Sequence, residues 1–222
     1  MFAGHIGVAL GIARVDRRVN VGVFVAAALW LDLVLWLFIL LGWESVSIPA
    51  DYASTHQPEF EFPYSHGFVA ALVWSAMAGA LALRLHSRLD AGRTRFAALV
   101  AAAVSSHWLL DALVHRPEMP IAGAASTRVG LGLWNQLPLA LAAEGALVVL
   151  GLALFLRGSR LVPGKSIAIG VLSVLILAFT VVGMTLAPPP PSATAMAASS
   201  GATLAVVCLL FCWLGKPSRP HR

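Results

Sequence analysis

The stretch that decides the fold class is FAALVAAAVSSHWLLDALVH, residues 96–115. It is almost wholly apolar, and its length is close to the roughly 20 helical residues that cross a lipid bilayer. Five further apolar stretches lie at residues 21–43, 66–85, 137–156, 166–187 and 199–214. The sequence therefore predicts an all-α fold, a polytopic membrane helical bundle with about six transmembrane helices.

The composition excludes a soluble globule. Of the 222 residues, 59% are hydrophobic and only 11% are charged, whereas soluble domains carry roughly a quarter charged residues. The formal net charge of +5 could indicate a nucleic-acid partner. The Lys and Arg residues, however, lie in short loops between apolar stretches, as membrane topology requires. Because no basic stripe with interleaved aromatic residues is present, we expect no nucleic-acid partner.

The distribution of basic residues predicts the orientation of the helices. The first loop, residues 44–65, contains acidic residues and no Lys or Arg. Arg116 and Arg128 are the exceptions to an otherwise alternating pattern. The remaining basic loops and ends carry Arg14, Arg17, Arg18, Arg84, Arg88, Arg93, Arg95, Arg157, Arg160, Lys165, Lys216, Arg219 and Arg222. The positive-inside rule places these loops in the cytoplasm.

The N-terminal segment, residues 2–15, is apolar but too short to cross the bilayer. Ala3, Gly7 and Gly11 form a row of small residues that allows close approach of another helix. We predict a half-length helix inserted in the membrane; the alternative is an amphipathic helix lying at the interface. The whole chain, residues 1–222, is expected to form one domain. Residues 1–157 would carry the site and residues 158–222 a plainer transmembrane hairpin.

Ionisable residues inside the apolar stretches are the candidate functional groups. Each costs on the order of 2.5–3.5 kcal/mol in a membrane-spanning helix, so it usually has a partner and a function. Counted at about 1.5 Å per residue from the basic ends, the main candidates lie about 14 to 27 Å into the membrane. They are therefore expected to meet in one layer. These candidates are His5, Asp32, His66, His107, Asp111 and Glu144.

His107, Asp111 and His115 are spaced four residues apart and share one helix face. An imidazole nitrogen and a carboxylate oxygen so placed can bind one ion, with zinc the first candidate and manganese or iron the alternatives. Hydrogen bonds between helices, or a path for protons or ions, would also account for these residues. His115 could instead lie at the interface, and Glu144 could be a buried hydrogen-bonding acid or a general base.

In the order of these residues the chain resembles a bacterial family of inner-membrane metal-dependent hydrolases, the YdjM type, itself distantly similar to zinc-dependent phospholipases C. The resemblance covers roughly residues 1–145. It departs from the family pattern at Leu31-Asp32 and at Tyr64-Ser65-His66, where the family tends to have further acidic or His residues, which implies fewer metal ions. The matching elements are Gly4-His5, Asp32, Ser65-His66 and His107-x-x-x-Asp111.

The resemblance implies a multi-pass protein of the bacterial inner (plasma) membrane that hydrolyses a lipid or other amphiphilic (phospho)ester from the outer leaflet. The expected partners are membrane lipids and a small amphiphilic substrate. Glu144 or His115 would be the general base. The alternatives are a transporter or ion- or proton-conducting protein that uses the same residues, and a non-catalytic membrane subunit. The implied metal ligands are His5, Asp32, His66, His107 and Asp111.

Overall fold

A computed structural model describes residues 1–85 and 92–216. The fold is an all-α membrane bundle, as predicted. Arg88, Arg219 and Arg222, which entered the orientation prediction, lie outside the described residues. The helices are α1 (Phe2–Ala13), α2 (Val21–Ala28), α3 (Trp30–Leu40), α4 (Tyr52–Thr55), α5 (Phe68–Leu85), α6 (Arg93–Val114), α7 (Leu137–Leu156), α8 (Pro163–Thr185) and α9 (Ala193–Leu214).

Among the described residues, five helices are long and apolar enough to cross a membrane, and the pair α2 and α3 gives a sixth span if counted as one. The chain is therefore a multi-pass membrane protein. Large apolar side chains such as Leu175 on α8 and Leu209 on α9 are exposed. Outward-facing apolar surface of this kind is what lipid would cover.

The first predicted span is broken. α2 and α3 meet at Leu29 with a bend of 50°, whereas the sequence predicts one continuous helix over residues 21–43. Neither proline nor glycine stands at the break. The carbonyl of Ala28 accepts a hydrogen bond from His107 Nδ1 at 2.6 Å. Insertion of a side chain into the helical ladder is a known cause of such bends, so a tertiary contact accounts for this one.

The N-terminal half-length helix α1 lies within the bundle and packs against α7, as the inserted-helix prediction requires. None of its residues is exposed. Gly7 lies directly against the backbone of Leu147, and a Cβ atom there would overlap it. The predicted row of small residues therefore permits the close approach of α1 to α7.

The described basic loops meet at one end of the bundle, which we call the basic end. There Arg95 donates to the carbonyl of Val15, and Lys165 Nζ donates to the carbonyl of Lys216 at 2.8 Å. The other end, the loop end, carries two small antiparallel sheets, β1 (Ser45–Ser47) with β2 (Glu59–Glu61) and β3 (Met119–Pro120) with β4 (Arg128–Val129). Arg128, an exception to the charge pattern, lies there 3.6 Å from Glu61.

Candidate metal centre

Four side chains from three segments form the candidate centre, which we call the His/Asp cluster: Asp32, His66, His107 and Asp111. Asp32 lies in the first turn of α3 because the helix restarts at Trp30. His66 precedes α5, and His107 and Asp111 lie one turn apart on α6. Each residue offers one ligand atom, and these atoms all lie within 4.8 Å of one another.

Five of the six distances between the ligand atoms are close to those of a small tetrahedral site, and the sixth, between the two carboxylate oxygens, is at most 4.8 Å. His66 Nε2 lies 3.1 Å from His107 Nε2 and 3.5 Å from an oxygen of each Asp. His107 Nε2 lies 3.2 Å from Asp111 Oδ2 and 3.5 Å from Asp32 Oδ1. A tetrahedron with metal–ligand bonds of about 2.0–2.1 Å has edges of about 3.3–3.4 Å. The His/Asp cluster is therefore close enough to hold a divalent metal ion.

Hydrogen bonds behind the two imidazoles turn their Nε2 atoms toward the centre. His107 Nδ1 faces the Ala28 carbonyl, which can only accept, so Nδ1 carries the proton. Ser65 Oγ donates to Glu44 Oε2 at 2.7 Å and lies 2.8 Å from His66 Nδ1, from which it accepts. In the neutral form of each imidazole, which metal binding requires, the Nε2 lone pair faces the two carboxylates. A cation offsets the repulsion among four such electron-rich atoms.

Glu44 anchors the chain of hydrogen bonds that runs through Ser65 to His66, which we call the relay. Its other oxygen, Oε1, accepts backbone N–H bonds from Tyr64 and Ser65, both at 2.8 Å. Burial raises the pKa of the Glu44 carboxyl, while the hydrogen bonds from Ser65 and Tyr64 oppose that shift. Trp108 Nε1 donates to the carbonyl of His66 at 2.9 Å and fixes its backbone. His66 is therefore held from both sides.

His5, a predicted ligand, lies beside the cluster and does not supply one of its four atoms. Its Nε2 lies 3.1 Å from Asp111 Oδ1, and its ring stacks on His107 with centroids 3.8 Å apart. The backbone nitrogen of Met1 lies 2.7 Å from the same carboxylate oxygen. In the described part of the chain, His5 Nδ1 has no hydrogen-bond partner. His5 thus braces Asp111 and His107.

His115 and Glu144, the two candidate bases, both border the cluster. His115 Nε2 lies 3.8 Å from Asp111 Oδ2, while its Nδ1 lies 2.6 Å from Glu118 Oε1. Because the carboxylate accepts, Nδ1–H donates to it, and Nε2 is the ring nitrogen that faces the cluster. Glu144 Oε2 accepts the N–H of Gly4 at 3.1 Å. Both side chains are buried and line the cavity described next.

A cavity of about 540 Å³ connects the cluster with the C-terminal hairpin. Asp32, His66 and Asp111 line it on the side of the cluster, and the hydroxyl residues Thr180, Ser199, Ser200 and Thr203 line it on the side of the hairpin. Its remaining lining is largely apolar and comes from the loop end and from α8 and α9. That lining includes Phe2, Leu35, Trp36, Tyr52, Phe60, Phe62, Trp134, Phe179, Met184, Met196 and Leu204. The volume falls in the usual range for a small-molecule site.

The residues that orient the ligands are not recognisable in the sequence. Glu44 stands in the sequence as one acid of an acidic loop, and Glu118 as a loop residue near His115. The one local signal is the adjacency of Ser65 to His66, and it does not reveal the 2.7 Å contact to Glu44.

Comparison of the chain with family models, with curated proteins and with solved structures gives no match, so the argument for function rests on this geometry.

Proposed function

We propose that this chain is a membrane-embedded, metal-dependent hydrolase of amphiphilic esters, with phosphoesters the first class to test. The observation that carries the proposal is the group of two imidazole nitrogens and two carboxylate oxygens, all within 4.8 Å of one another, beside a largely apolar cavity. With neutral imidazoles the four ligands carry two negative charges, which complements a divalent cation.

Zinc is the first candidate for the ion, since mixed nitrogen and oxygen ligation at tetrahedral geometry suits it; manganese and iron are the alternatives. His66 Nε2, His107 Nε2, Asp32 Oδ1 and Asp111 Oδ2 would hold the ion. Such an ion, when bound, supplies Lewis-acid activation of water and of a substrate oxygen. Asp32 is the most open of the four ligands, with its side chain 21% exposed toward the cavity, so we place the substrate on its side.

The chain's own residues would move the protons. In hydrolysis, the water oxygen would bond to the phosphorus or carbonyl carbon, the bond from that atom to the ester oxygen would break, and the ester oxygen would take up the water proton and leave as an alcohol. We assign His115 Nε2 as the acceptor of the water proton, because Glu118 holds its Nδ1–H and, in the neutral ring, the Nε2 lone pair faces the cluster. Glu144, whose carboxylate is engaged by Gly4 N–H, is the alternative base. By the positive-inside rule the cavity would open toward the outer leaflet of a bacterial inner membrane.

The first test is the metal content of the detergent-purified protein by plasma mass spectrometry, with His107→Ala and Asp111→Ala alongside. We expect close to one divalent ion per chain in the wild type and its loss in both variants. Asp51→Asn, which changes an exposed loop carboxylate, is the matched control and should retain the ion. Metal-loaded protein should then release product from phospholipid or other phosphoester substrates in mixed micelles.

Two results would overturn the proposal. The metal site is refuted if wild-type protein stays metal-free after reconstitution with zinc, manganese and iron. The hydrolase is refuted if the metal-loaded protein turns over none of the ester classes. Ion flux in proteoliposomes that depends on Asp32 would then favour a transport function.

A further inference from the structure

We propose that the cleft between α8 and α9 binds one acyl chain of a membrane phospholipid, which enters the cavity sideways from the bilayer. The proposal rests on the function proposed above, since it names the substrate of the same site as a lipid that stays in the membrane. It also adds a binding subsite on the hairpin, which the sequence presents as plain membrane helices.

The two helices are connected by residues 186–192 at the loop end and by a hydrogen bond at the basic end. At the basic end Lys165 Nζ donates to the carbonyl of Lys216. Toward the loop end, the cavity lies between Phe179 and Met184 of α8 and Met196 and Leu204 of α9. Both helices therefore line the cavity between these two connections, and we call the space between them there the cleft.

The mouth of this cleft lies at hydrocarbon depth. Phe179 lines the cavity and is nevertheless 58% exposed, so it stands where the cavity meets the outside of the bundle. It lies about 21 Å along the helix from Lys165 at the basic end, at about 1.5 Å per residue. Within a hydrocarbon core about 30 Å thick, that position faces lipid rather than water.

The chemistry of the walls selects an apolar chain. The hairpin's contribution contains the flexible thioethers of Met184 and Met196, which adapt to irregular apolar ligands. The wall also carries the hydroxyl residues Thr180, Ser199, Ser200 and Thr203. The hydroxyls of Thr180, Ser199 and Thr203 donate back to carbonyls of their own helices. Because both spans of the hairpin lack acidic residues and histidine, this wall offers no charged partner to a polar solute.

The opposite end of the cavity fixes the orientation of the lipid. Asp32, His66 and Asp111 stand there, so the headgroup would face the His/Asp cluster while the acyl chain extends toward Leu204. Tyr52 and Trp134 line the cavity from the loop end. These aromatic side chains border the cavity on the side of the loop end. We therefore place the entry of a membrane-resident substrate at the lipid-facing cleft between α8 and α9.

The test is photo-crosslinking in proteoliposomes with phosphatidylglycerol that carries a diazirine in the middle of one acyl chain. Leu204 and Val207 on α9 are both buried, 4% and 6% exposed, but only Leu204 lines the cavity. Bulk lipid reaches neither residue. We therefore expect adducts at Leu204 to exceed those at Val207 at least tenfold when adducts are mapped by peptide mass spectrometry.

A pair of glycine variants on α8 sharpens this test. Gly183 lines the cavity, Gly164 lies near the basic end, and no described atom lies within 4 Å of a Cβ built at either position. Gly183→Trp should fill the cleft and reduce the Leu204 adduct about tenfold, whereas Gly164→Trp should leave it unchanged. Equal adducts at Leu204 and Val207 in the wild type would overturn the proposal. So would a Leu204 adduct that Gly183→Trp leaves intact.

The same experiment on chelator-treated protein separates the two proposals. If the Leu204 adduct persists while no ester is hydrolysed by the metal-loaded protein, the cleft stands and the hydrolase fails. If a phosphoester is hydrolysed but Leu204 is not labelled, the hydrolase stands and the acyl-chain cleft fails.

Discussion

Buried polar side chains are used differently in the two parts of this molecule. Around the cluster they bond between distant segments, as His107 does with the carbonyl of Ala28 and Ser65 with Glu44. On α8 they bond back to their own helix, as Ser173 Oγ does with the carbonyl of Ile169 at 2.8 Å. The first pattern fixes segments relative to one another, whereas the second satisfies a hydroxyl without any tertiary consequence.

The closeness of packing around glycine residues also differs between the two parts of the molecule. In the N-terminal part, a Cβ at Gly7 would overlap the backbone of α7, and one at Gly22 would overlap Cys212 of α9. On the hairpin, Gly183 and Gly164 face open space. Both open glycines lie on α8, whereas α9 packs closely on α2, so the comparison separates a closely packed scaffold around the ligand atoms from a looser α8 that lines the cavity. A rigid scaffold of this kind is what a metal centre requires.

The largest expected effect is the loss of metal and activity when a cluster imidazole is removed. The matched comparison is the removal of a buried hydroxyl of the hairpin. His66→Ala should lose the metal ion and lower the rate of ester hydrolysis by about 10³-fold or more, because it removes a ligand on which several kcal/mol of transition-state stabilisation depend. Ser173→Ala, equally buried, should retain the ion and change the rate less than about twofold, since its hydroxyl bonds only within α8. Metal analysis and initial rates measure both.

Equal losses in His66→Ala and Ser173→Ala would mean that general destabilisation, not ligation, controls activity. The difference in hydrogen bonding between the two regions would then have no bearing on activity.

The second effect is on stability. Gly7→Val should lower the free energy of unfolding by about 3 kcal/mol or more, because the new side chain meets the backbone of Leu147, which cannot move aside. Gly183→Val should change it by less than about 1 kcal/mol, since its Cβ meets open space. Thermal unfolding in detergent compares the two variants. A similar melting temperature for both would show that α1 is not closely packed on α7.

These contrasts show what the sequence could predict. The membrane class, the spans and the inserted half-helix follow from apolar run length and from small-residue spacing, both of which are local properties. The break at Leu29 could not be predicted, because its cause is a hydrogen bond from His107, far along the chain. A helix bend made by a tertiary contact leaves no mark in the local sequence.

The residues of the site could be predicted from the sequence to a similar extent. Ionisable residues in apolar stretches are few, so counting their depth was enough to expect that Asp32, His107 and Asp111 would meet. Depth along a helix does not determine rotation about it, so it could not separate His5, which braces Asp111, from the four residues of the cluster. The roles of Glu44 and Glu118 depend on loop geometry that carries no periodic signal.

The third prediction concerns the relay behind His66. Glu44→Gln and Ser65→Ala should each weaken metal binding by about 10- to 100-fold, the usual range for residues that orient a ligand. Glu59→Gln, an exposed acid of the same loop, should leave the affinity unchanged. Competition with a chromophoric chelator gives the affinities. Wild-type affinity in both relay variants would show that Trp108 and the backbone alone position His66.

The smallest effect concerns Asp16, a buried acid in the turn between α1 and α2 whose partner is local. Arg18 Nη2 donates to Asp16 Oδ2 at 2.7 Å, and this hydrogen bonding lowers the pKa of the Asp16 carboxyl below its usual value. A lowered folded-state pKa contributes stability above the unfolded pKa of about 3.9 and loses it as pH falls through the folded value. Asp16→Asn should therefore lower the melting temperature slightly at pH 7, and the difference should shrink below about pH 4.

Thermal unfolding of wild type and Asp16→Asn at pH 7 and pH 3 measures this difference, with Asp51→Asn as the control for an exposed carboxylate. Arg18 is largely solvated, so a shift below about 2 °C is expected. A shift in melting temperature as large as that of Gly7→Val would contradict the comparison between local and long-range contacts. It would mean that a polar pair formed within one turn organises the bundle as strongly as the contacts between distant segments.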